Sequence, residues 1–329
     1  MASRKILSVG IIGAGEIVSR IHLPVLSACE DVRLSYIADR NPDAAASVAK
    51  SFRTAAVVVA DNLDRLPPSD VVLLAIPVKA RMPYYELFAH RGVCVLAEKP
   101  LATCLADAER ICQRYPDHAL ACGFQRRTYA TARLARRMVA GRWFGPLQSM
   151  SVAEGALTTK TGADSLFYDA DGSGGVLMDL GCHSLDLALY ISGATGLTVS
   201  RQRFVVDQDV DREVEAQLLL RTPSGQCRLD YLVTWLRPTD NVIQLRFENC
   251  VASLSTRPAQ PIEIRGWRNE RETALLSAEG GAATVYQAFY LEWMAFLDGV
   301  RSGQASEFSA RSALATVSAV ETLYRGQSS

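Results

Sequence analysis

The sequence predicts an α/β protein: an N-terminal doubly wound parallel sheet, then an α+β domain with an open-faced, mainly antiparallel sheet. Three observations lead to this prediction. Short apolar runs alternate with helical patterns as far as residue 122, which is typical of a parallel sheet covered by helices. A glycine pair follows the first apolar run. After residue 123 the runs lengthen and alternate polar with apolar residues, as antiparallel strands do. We therefore expect domains at 1–122 and 123–329.

Length and composition exclude several classes of protein. The chain has 329 residues, 49% of them hydrophobic and 21% charged, which is ordinary globular composition. Basic and acidic residues both number 35, so net charge favours neither nucleic acid nor an anionic membrane as a partner. No apolar run approaches the roughly 18 residues of a membrane span, and we expect no signal peptide. The eight cysteines form no C-x-x-C pair, which indicates a reducing, cytoplasmic location without a zinc site.

The first βαβ unit contains most of a dinucleotide-binding fingerprint. A near-continuous apolar run over 5–12 predicts a strand buried on both faces, and a helical pattern follows to about residue 29. Between them lies Gly13-Ala-Gly15-Glu16-Ile17-Val18, which matches G-x-G-x-x-G except at the last position. Gly13 and Gly15 would let a pyrophosphate approach the backbone at a helix N-terminus. The unit therefore predicts a Rossmann domain that binds NAD or NADP.

The choice of cofactor depends on the end of the second predicted strand. The apolar run 32–38 ends in Asp39, where an acidic side chain accepts the ribose hydroxyls of NAD. Arg40 follows directly and would suit the 2′-phosphate of NADP. NAD is thus slightly favoured and NADP is left open. Alternatively, Asp39 is a helix cap for the segment that begins at Asn41.

The rest of the first domain continues the alternation. Strands are predicted at 55–60, 71–76, 93–97 and 119–122, and helices at 82–91 and 103–115. Ligands of such sheets bind at the carboxyl ends of strands, and Pro77, Glu98 and Lys99 all fall at such ends. Lys99 would then point into the crevice that holds the nicotinamide. The alternative is an exposed lysine ahead of Pro100, a proline that starts a helix.

The second domain is predicted as one sheet with helices. The predicted strands are 147–154, 198–206, 213–222, 226–236, 242–247 and 251–256, and the predicted helices are 129–140, 285–302 and 310–325. Turn signals at 223–225 and 248–250 join two hairpins. We expect one face of the sheet to expose Tyr231 and Trp235 and to form a homodimer or homotetramer. A polar loop over 155–172 carries Tyr168 and would form a substrate lid or dimer segment.

One helical stretch, 172–192, combines an apolar surface with a polar stripe. Asp179, His183 and Asp186 are spaced by four and three residues, so an α-helix would bring them onto one face. Leucines cover the rest, which predicts a buried helix. A flanking carboxylate favours the imidazolium and orients the ring, which suits proton transfer. The alternative is a core histidine whose hydrogen bonds are satisfied within the helix.

These motifs together resemble the Gfo/Idh/MocA oxidoreductases, the glucose–fructose oxidoreductase and inositol dehydrogenase family. The matching pieces, in order, are the glycine loop with His22-Leu-Pro24, Asp39, Pro77, Glu98-Lys99-Pro100, Gly123-Phe-Gln-Arg126 and the stretch Gly174–Asp186. The resemblance implies a Rossmann domain followed by a domain with an open-faced sheet, in dimers or tetramers. It also implies hydride transfer between a nicotinamide and a secondary alcohol or ketone of a sugar, cyclitol or related polyol.

The resemblance assigns roles to individual residues. Lys99 matches the active-site lysine, and Asp179 and His183 match the aspartate–histidine pair. The implied cofactor-binding residues are Gly13, Gly15, Glu16, Ile17, Asp39, Arg40, Pro77, Glu98 and Lys99. The implied substrate-binding residues are Lys99, Arg126, Tyr168, Asp179 and His183. No metal is implied, and the Lys99–Pro100 bond is expected to be cis.

Three residues depart from the family pattern. Val18 replaces the last fingerprint glycine, and Ser173 replaces the first glycine of the usual triplet. Arg81 stands where many relatives have histidine, and it would bear on substrate or cofactor charge.

The sequence therefore predicts an NAD(P)-dependent dehydrogenase acting on CH–OH groups. His183 would take the hydroxyl proton, Lys99 would donate to the reacting oxygen, and Asp179 would hold a substrate hydroxyl. One alternative is an NADPH-dependent ketoreductase of nucleotide-sugar or antibiotic-sugar biosynthesis. Others are a non-catalytic nucleotide-binding sensor on the same fold and an imine- or dihydrodiol-type reductase.

Overall fold

The computed structural model describes residues 4–52, 57–59, 63–158, 174–266 and 273–326. The chain forms two compact units. The first comprises 1–124 and 289–314, and the second comprises 125–288 and 315–329. The domain division expected at 122–123 stays a prediction.

The first unit is built on a six-stranded parallel sheet. Its strands are β1 (Leu7–Ile12), β2 (Val32–Asp39), β3 (Val57–Val59), β4 (Val71–Leu74), β5 (Cys94–Glu98) and β6 (Leu120–Gly123), in the order β3-β2-β1-β4-β5-β6. All five strand pairs are parallel. The order reverses between β1 and β4, which is where doubly wound sheets bind ligands. The predicted fold class is confirmed.

The second sheet has eight strands and contains a parallel pair. Its strands are β7 (Leu147–Gly155), β8 (Gly196–Asp207), β9 (Val210–Thr222), β10 (Gly225–Thr234), β11 (Val242–Phe247), β12 (Val251–Ser255), β13 (Ile262–Arg265) and β14 (Thr273–Leu276), in the order β14-β13-β12-β11-β7-β10-β9-β8. Both predicted hairpins, β9–β10 and β11–β12, are present and antiparallel. Among the described strand pairs of this second sheet, only β7 and β10 run parallel. The two strands at one end of this sheet, β13 and β14, were not predicted.

Eight α-helices complete the described part of the chain. They are α1 (Leu23–Ser27), α2 (Pro42–Phe52), α3 (Met82–Arg91), α4 (Leu105–Gln113), α5 (Ala130–Ala140), α6 (Cys182–Ser192), α7 (Val285–Ser302) and α8 (Ala310–Arg325). Wider π-helical turns, Val18–His22 and Leu177–Gly181, run directly into α1 and α6. Within the described residues no helix has both the length and the apolarity that a membrane span requires.

The expectation that Tyr231 and Trp235 lie on the exposed face of the second sheet was wrong. Each is only 3% exposed. Tyr231 donates a hydrogen bond to Gly181 O (3.1 Å) and lies 3.0 Å from Ser184 Oγ, so it faces the helix. Alternation separates the residues of a strand into two sets but does not say which set faces the helices. The other set of β10, with Arg228 and Asp230, carries the charges on the open face.

Candidate active site

The two glycines of the loop after β1 have different surroundings: Gly13 is packed against backbone, and Gly15 is open. Gly13 has φ +106°, and a Cβ built on it would overlap Ala75 O just after β4. Gly13 N also donates to Ala38 O (2.7 Å), which ties the loop to β2. A Cβ built on Gly15 would meet nothing within 4 Å. Gly13 is therefore needed for strand packing, whereas Gly15 leaves room for a ligand at the backbone.

Other residues of the predicted cofactor set lie around this loop or at neighbouring strand ends. Glu16 and Ile17 are exposed, and Pro77 is half-buried shortly after β4. Val18, at the last fingerprint position, is fully buried. A core position explains why an apolar side chain is accepted there in place of glycine.

The carboxylate of Asp39 is fixed by backbone donors. Ala14 N donates to Asp39 Oδ2 (2.7 Å), and Asn41 N donates to Asp39 Oδ1 (2.9 Å). Asn41 Oδ1 accepts from Asp43 N and Ala44 N, so it is Asn41 that caps α2. Asp39 is thus attached to the glycine loop and stands where the sequence placed the ribose site.

Glu98, at the end of β5, belongs to a buried chain of hydrogen bonds. Trp293 Nε1 donates to His22 Nδ1 (3.0 Å). Since an indole N–H only donates, Nδ1 is unprotonated, and His22 Nε2–H donates to Glu98 Oε1 (2.7 Å). Burial alone would raise the pKa of the Glu98 carboxyl. The hydrogen bond from His22 and the positive charges of Lys99 and Arg81 outweigh burial, so the pKa lies below its ordinary value.

Lys99 follows β5 directly, in a loop whose backbone carbonyls accept hydrogen bonds from a buried side chain. The Lys99–Pro100 bond is cis, as the resemblance implied. Arg81 is buried and donates to carbonyl oxygens on both sides of Lys99. The loop that carries Lys99 therefore has a defined course at the carboxyl edge of the sheet.

In the second unit, Asp179 and His183 lie where a π-helical turn passes into α6. Asp179 is half-buried on the turn Leu177–Gly181, and His183 is 9% exposed in the first turn of α6. A π turn is wider than an α turn, so the α-helical spacing assumed from sequence applies only from residue 182 onward. Single π turns are frequent at functional sites.

Asp186, predicted on the same stripe, has a different task. Its carboxylate accepts from Arg127 Nε (2.8 Å) and Nη2, and from Thr316 Oγ1 (2.9 Å). Asp186 is 1% exposed. It is therefore an internal anchor between α6 and two other segments of the same unit.

The start of the Asp179 turn is held by Asp211. Leu177 N donates to Asp211 Oδ2 (2.8 Å), and Tyr324 OH donates to Asp211 Oδ1 (2.9 Å). Gly175 has φ +101°, and a Cβ built on it would overlap Asp211 Oδ1. Burial raises the pKa of Asp211, although the hydrogen bonds from Leu177 and Tyr324 oppose that rise. The glycine before the helix is therefore required by this contact.

Two predicted substrate residues have different outcomes. Arg126 is 6% exposed, and its Nη1 donates to both Glu154 oxygens (2.9 and 2.8 Å). Its guanidinium thus holds β7 within the second unit. Tyr168 lies outside the described residues, as does Ser173. In the described part of the chain, no group of three or more potential metal-ligating side chains is present.

Family models match most of the chain. The model of an oxidoreductase family with an NAD-binding Rossmann fold, GFO_IDH_MocA, matches residues 7–124. The model of the GFO/IDH/MocA C-terminal domain matches residues 132–253.

Curated relatives include reductases and dehydrogenases of sugars and cyclitols. The chain is 30% identical over 192 residues to dTDP-3,4-didehydro-2,6-dideoxy-alpha-D-glucose 3-reductase of Streptomyces violaceoruber, covering 57% of this chain and 55% of the relative. It is 25% identical over 229 residues to inositol 2-dehydrogenase of Rhizobium meliloti, covering 66% of each. The alignments thus leave at least a third of these relatives unmatched.

Solved structures match over nearly the whole chain. Aldose–aldose oxidoreductase from Caulobacter crescentus has a TM-score of 0.85 at 20% identity, covering 98% of this chain and 97% of that one. A 3-ketoreductase from Actinomadura kijaniata, in complex with NADP and TDP-benzene, has a TM-score of 0.82 at 24% identity, covering 97% of both chains. At these identities the likeness establishes the fold.

Proposed function

The chain belongs to the Gfo/Idh/MocA oxidoreductase family, and from that premise we propose that it is an NAD(P)-dependent oxidoreductase. It transfers a hydride between the nicotinamide and a secondary alcohol or ketone of a sugar, cyclitol or related polyol. The observation that carries this proposal is the carboxyl edge of the first sheet. There the open glycine loop follows β1, Asp39 ends β2 with its carboxylate fixed, and Lys99 follows β5, all in one parallel sheet.

The cofactor supplies or accepts the hydride, and the chain supplies binding and proton transfer. Backbone groups of 13–17 would hold the pyrophosphate, and Gly15 leaves space for it. Lys99 donates a hydrogen bond to the reacting oxygen and stabilises developing negative charge. His183 takes the hydroxyl proton during oxidation and returns it during reduction. Asp179 holds a neighbouring substrate hydroxyl and orients the imidazole.

We propose NAD as the preferred cofactor. The two backbone donors keep the Asp39 carboxylate beside the glycine loop, where it can accept ribose hydroxyls. A carboxylate held there cannot swing aside, so it repels a 2′-phosphate. Arg40 is exposed and is free of this constraint.

Asp39→Asn is expected to lower the preference for NAD over NADP by about 10- to 100-fold, because a charged acceptor to the ribose becomes neutral. The measurement is titration of both reduced cofactors by fluorescence. Asp43→Asn, an exposed aspartate on α2, is the matched control and should leave the ratio unchanged. Equal weakening of both cofactors in Asp39→Asn would mean that Asp39 only supports the loop.

A second substrate class has specific support. The 30% identity to a dTDP-sugar 3-reductase favours a ketoreductase acting on a keto group of a nucleotide-linked sugar. A panel with NAD and NADP distinguishes the two, read at the nicotinamide absorbance. Oxidation of inositols, polyols or free sugars supports the first class, and reduction of keto nucleotide sugars alone supports the second. Cofactor binding without turnover on either set would favour the non-catalytic sensor.

We also propose a cytoplasmic homodimer or homotetramer that associates through the open face of the second sheet. That face of β8 to β10 presents paired charges, Arg203 with Glu215 and Arg228 with Asp230. Opposite charges arranged this way suit a self-complementary contact between two copies. Light scattering should give the mass of two or four chains, and a monomer at assay concentration would contradict it.

A further inference from the structure

Arg81 bridges the ends of two neighbouring strands. It stands at the N-terminus of α3 and is 4% exposed. Its Nε donates to Ile76 O (2.7 Å), shortly after β4. Its Nη1 donates to Glu98 O, the last residue of β5, and to Pro100 O (2.7 Å). One guanidinium therefore connects the carboxyl ends of β4 and β5.

The two carbonyl oxygens that accept from Arg81 Nη1, those of Glu98 and Pro100, lie on either side of Lys99. A guanidinium is planar and presents its donors in a fixed fork, so it sets the distance between its acceptors. The backbone before and after Lys99 is consequently held to a single rigid group. The sequence suggested that Arg81 would meet substrate or cofactor charge, but its hydrogen bonds run to the backbone that carries the lysine.

The side chain of Glu98 is held separately from its carbonyl. His22 Nε2 donates to Glu98 Oε1 (2.7 Å), and Trp293 fixes the His22 ring. The residue before Lys99 is thus attached at both its carbonyl and its carboxylate, and the residue after it at its carbonyl. This arrangement leaves the Cα of Lys99 little freedom to shift along the edge of the sheet.

We propose that Arg81 is a positioning residue that acts through Lys99, an inference that rests on the proposed function of Lys99. A lysine side chain has four rotatable bonds, so its ammonium is placed accurately only if its backbone is fixed. Displacing a catalytic group by about 1 Å is enough to lower the rate by about 100-fold. The guanidinium supplies that fixed backbone without touching the substrate.

Arg301 offers a control, because it also donates to backbone carbonyls, here at the amino ends of the strands, and in addition it pairs with the carboxylates of Asp31 and Asp298. Its Nε donates to Lys5 O and its Nη2 to Asp31 O, both at 3.2 Å. These carbonyls precede β1 and β2, far along the strands from their carboxyl ends. Removing the Arg301 guanidinium should therefore affect stability without affecting turnover.

The test compares Arg81→Met, Arg81→Lys and Arg301→Met in the full-length enzyme, and repeats Arg81→Met in a Lys99→Ala background. Arg81→Met should lower kcat by about 100-fold while the Kd of NAD stays within about twofold. Arg81→Lys keeps the charge but not the fork, so most of the loss should persist. In the Lys99→Ala background the further loss should be under about threefold, because the two residues act as a unit.

Hydrogen–deuterium exchange of the 96–102 segment gives a readout that needs no substrate. Exchange should rise in both Arg81 variants and stay unchanged in Arg301→Met. Unchanged exchange, full turnover in Arg81→Lys, or equal losses with and without Lys99 would each overturn the proposal. Full turnover in Lys99→Ala alone would instead contradict the proposed function of the lysine. The exchange result would still show whether Arg81 holds the backbone around Lys99 in place.

Discussion

Replacing His183 or Lys99 by alanine is expected to lower turnover by about 100- to 10,000-fold, the usual worth of general acid–base help. NAD binding should stay within about twofold of wild type, since neither side chain is expected to hold the adenine half of the cofactor. In the proposed mechanism, removing His183 takes away the proton acceptor, and removing Lys99 takes away the donor to the reacting oxygen. The measurement is kcat from nicotinamide absorbance, with cofactor Kd from fluorescence.

Exposed residues of the same types provide the controls for this pair. His90 lies near the end of α3 and Lys50 near the end of α2, both exposed. His90→Ala and Lys50→Ala should turn over like wild type. Wild-type turnover in both Lys99→Ala and His183→Ala would remove the mechanism. A loss in one variant alone would assign the proton transfer and the charge stabilisation to that residue.

Gly175→Ala is expected to cost about 3 kcal/mol of unfolding free energy. Roughly 1 kcal/mol comes from the strained backbone at φ +101° and roughly 2 kcal/mol from the disturbed hydrogen bond to the Asp211 carboxylate. Turnover should fall as well, because Leu177 N would lose its acceptor and the Asp179 turn would shift. Urea unfolding and kcat measure the two effects.

Gly303→Ala is the control for the part of the lost unfolding free energy that comes from backbone strain alone. Gly303 also has a positive φ, +70°, but a Cβ there would meet nothing within 4 Å. Its alanine variant should lose only about 1 kcal/mol and keep full turnover. If Gly175→Ala were no more destabilised than Gly303→Ala, contact with Asp211 would not be the reason for the glycine.

The sequence predicted the regular elements well where one pattern dominated. Helices α3, α7 and α8 have the bounds that were predicted. In each, the apolar spacing and the signals at the helix ends, such as Gly92 after α3, indicate the same limits. Strands β13 and β14 are four residues each, too short for alternation to stand out. The helical pattern before α6 gave no sign of a π turn, because apolar spacing over five residues fits both kinds of helix.

The contacts that hold the residues of the candidate site in place were harder to predict from the sequence. Trp293 and His22 are 271 positions apart, and nothing in either local pattern indicates their hydrogen bond. Arg81 was noticed as a departure from the family pattern, but its partners are carbonyl oxygens, which every residue has. Asp186 is three residues from His183, which predicted it on the same helix face as Asp179, yet Arg127 and Thr316 bind it. The catalytic roles of Lys99, Asp179 and His183 stay predictions.

A crystal structure of the protein with NADH and the substrate found by the panel tests the central claim most directly. The claim predicts that Lys99 Nζ and a His183 ring nitrogen both lie about 2.6–3.2 Å from the reacting oxygen, with the nicotinamide facing the same carbon. A complex in which either side chain occupies a separate pocket, or in which the dinucleotide avoids the loop at Gly15, would contradict it.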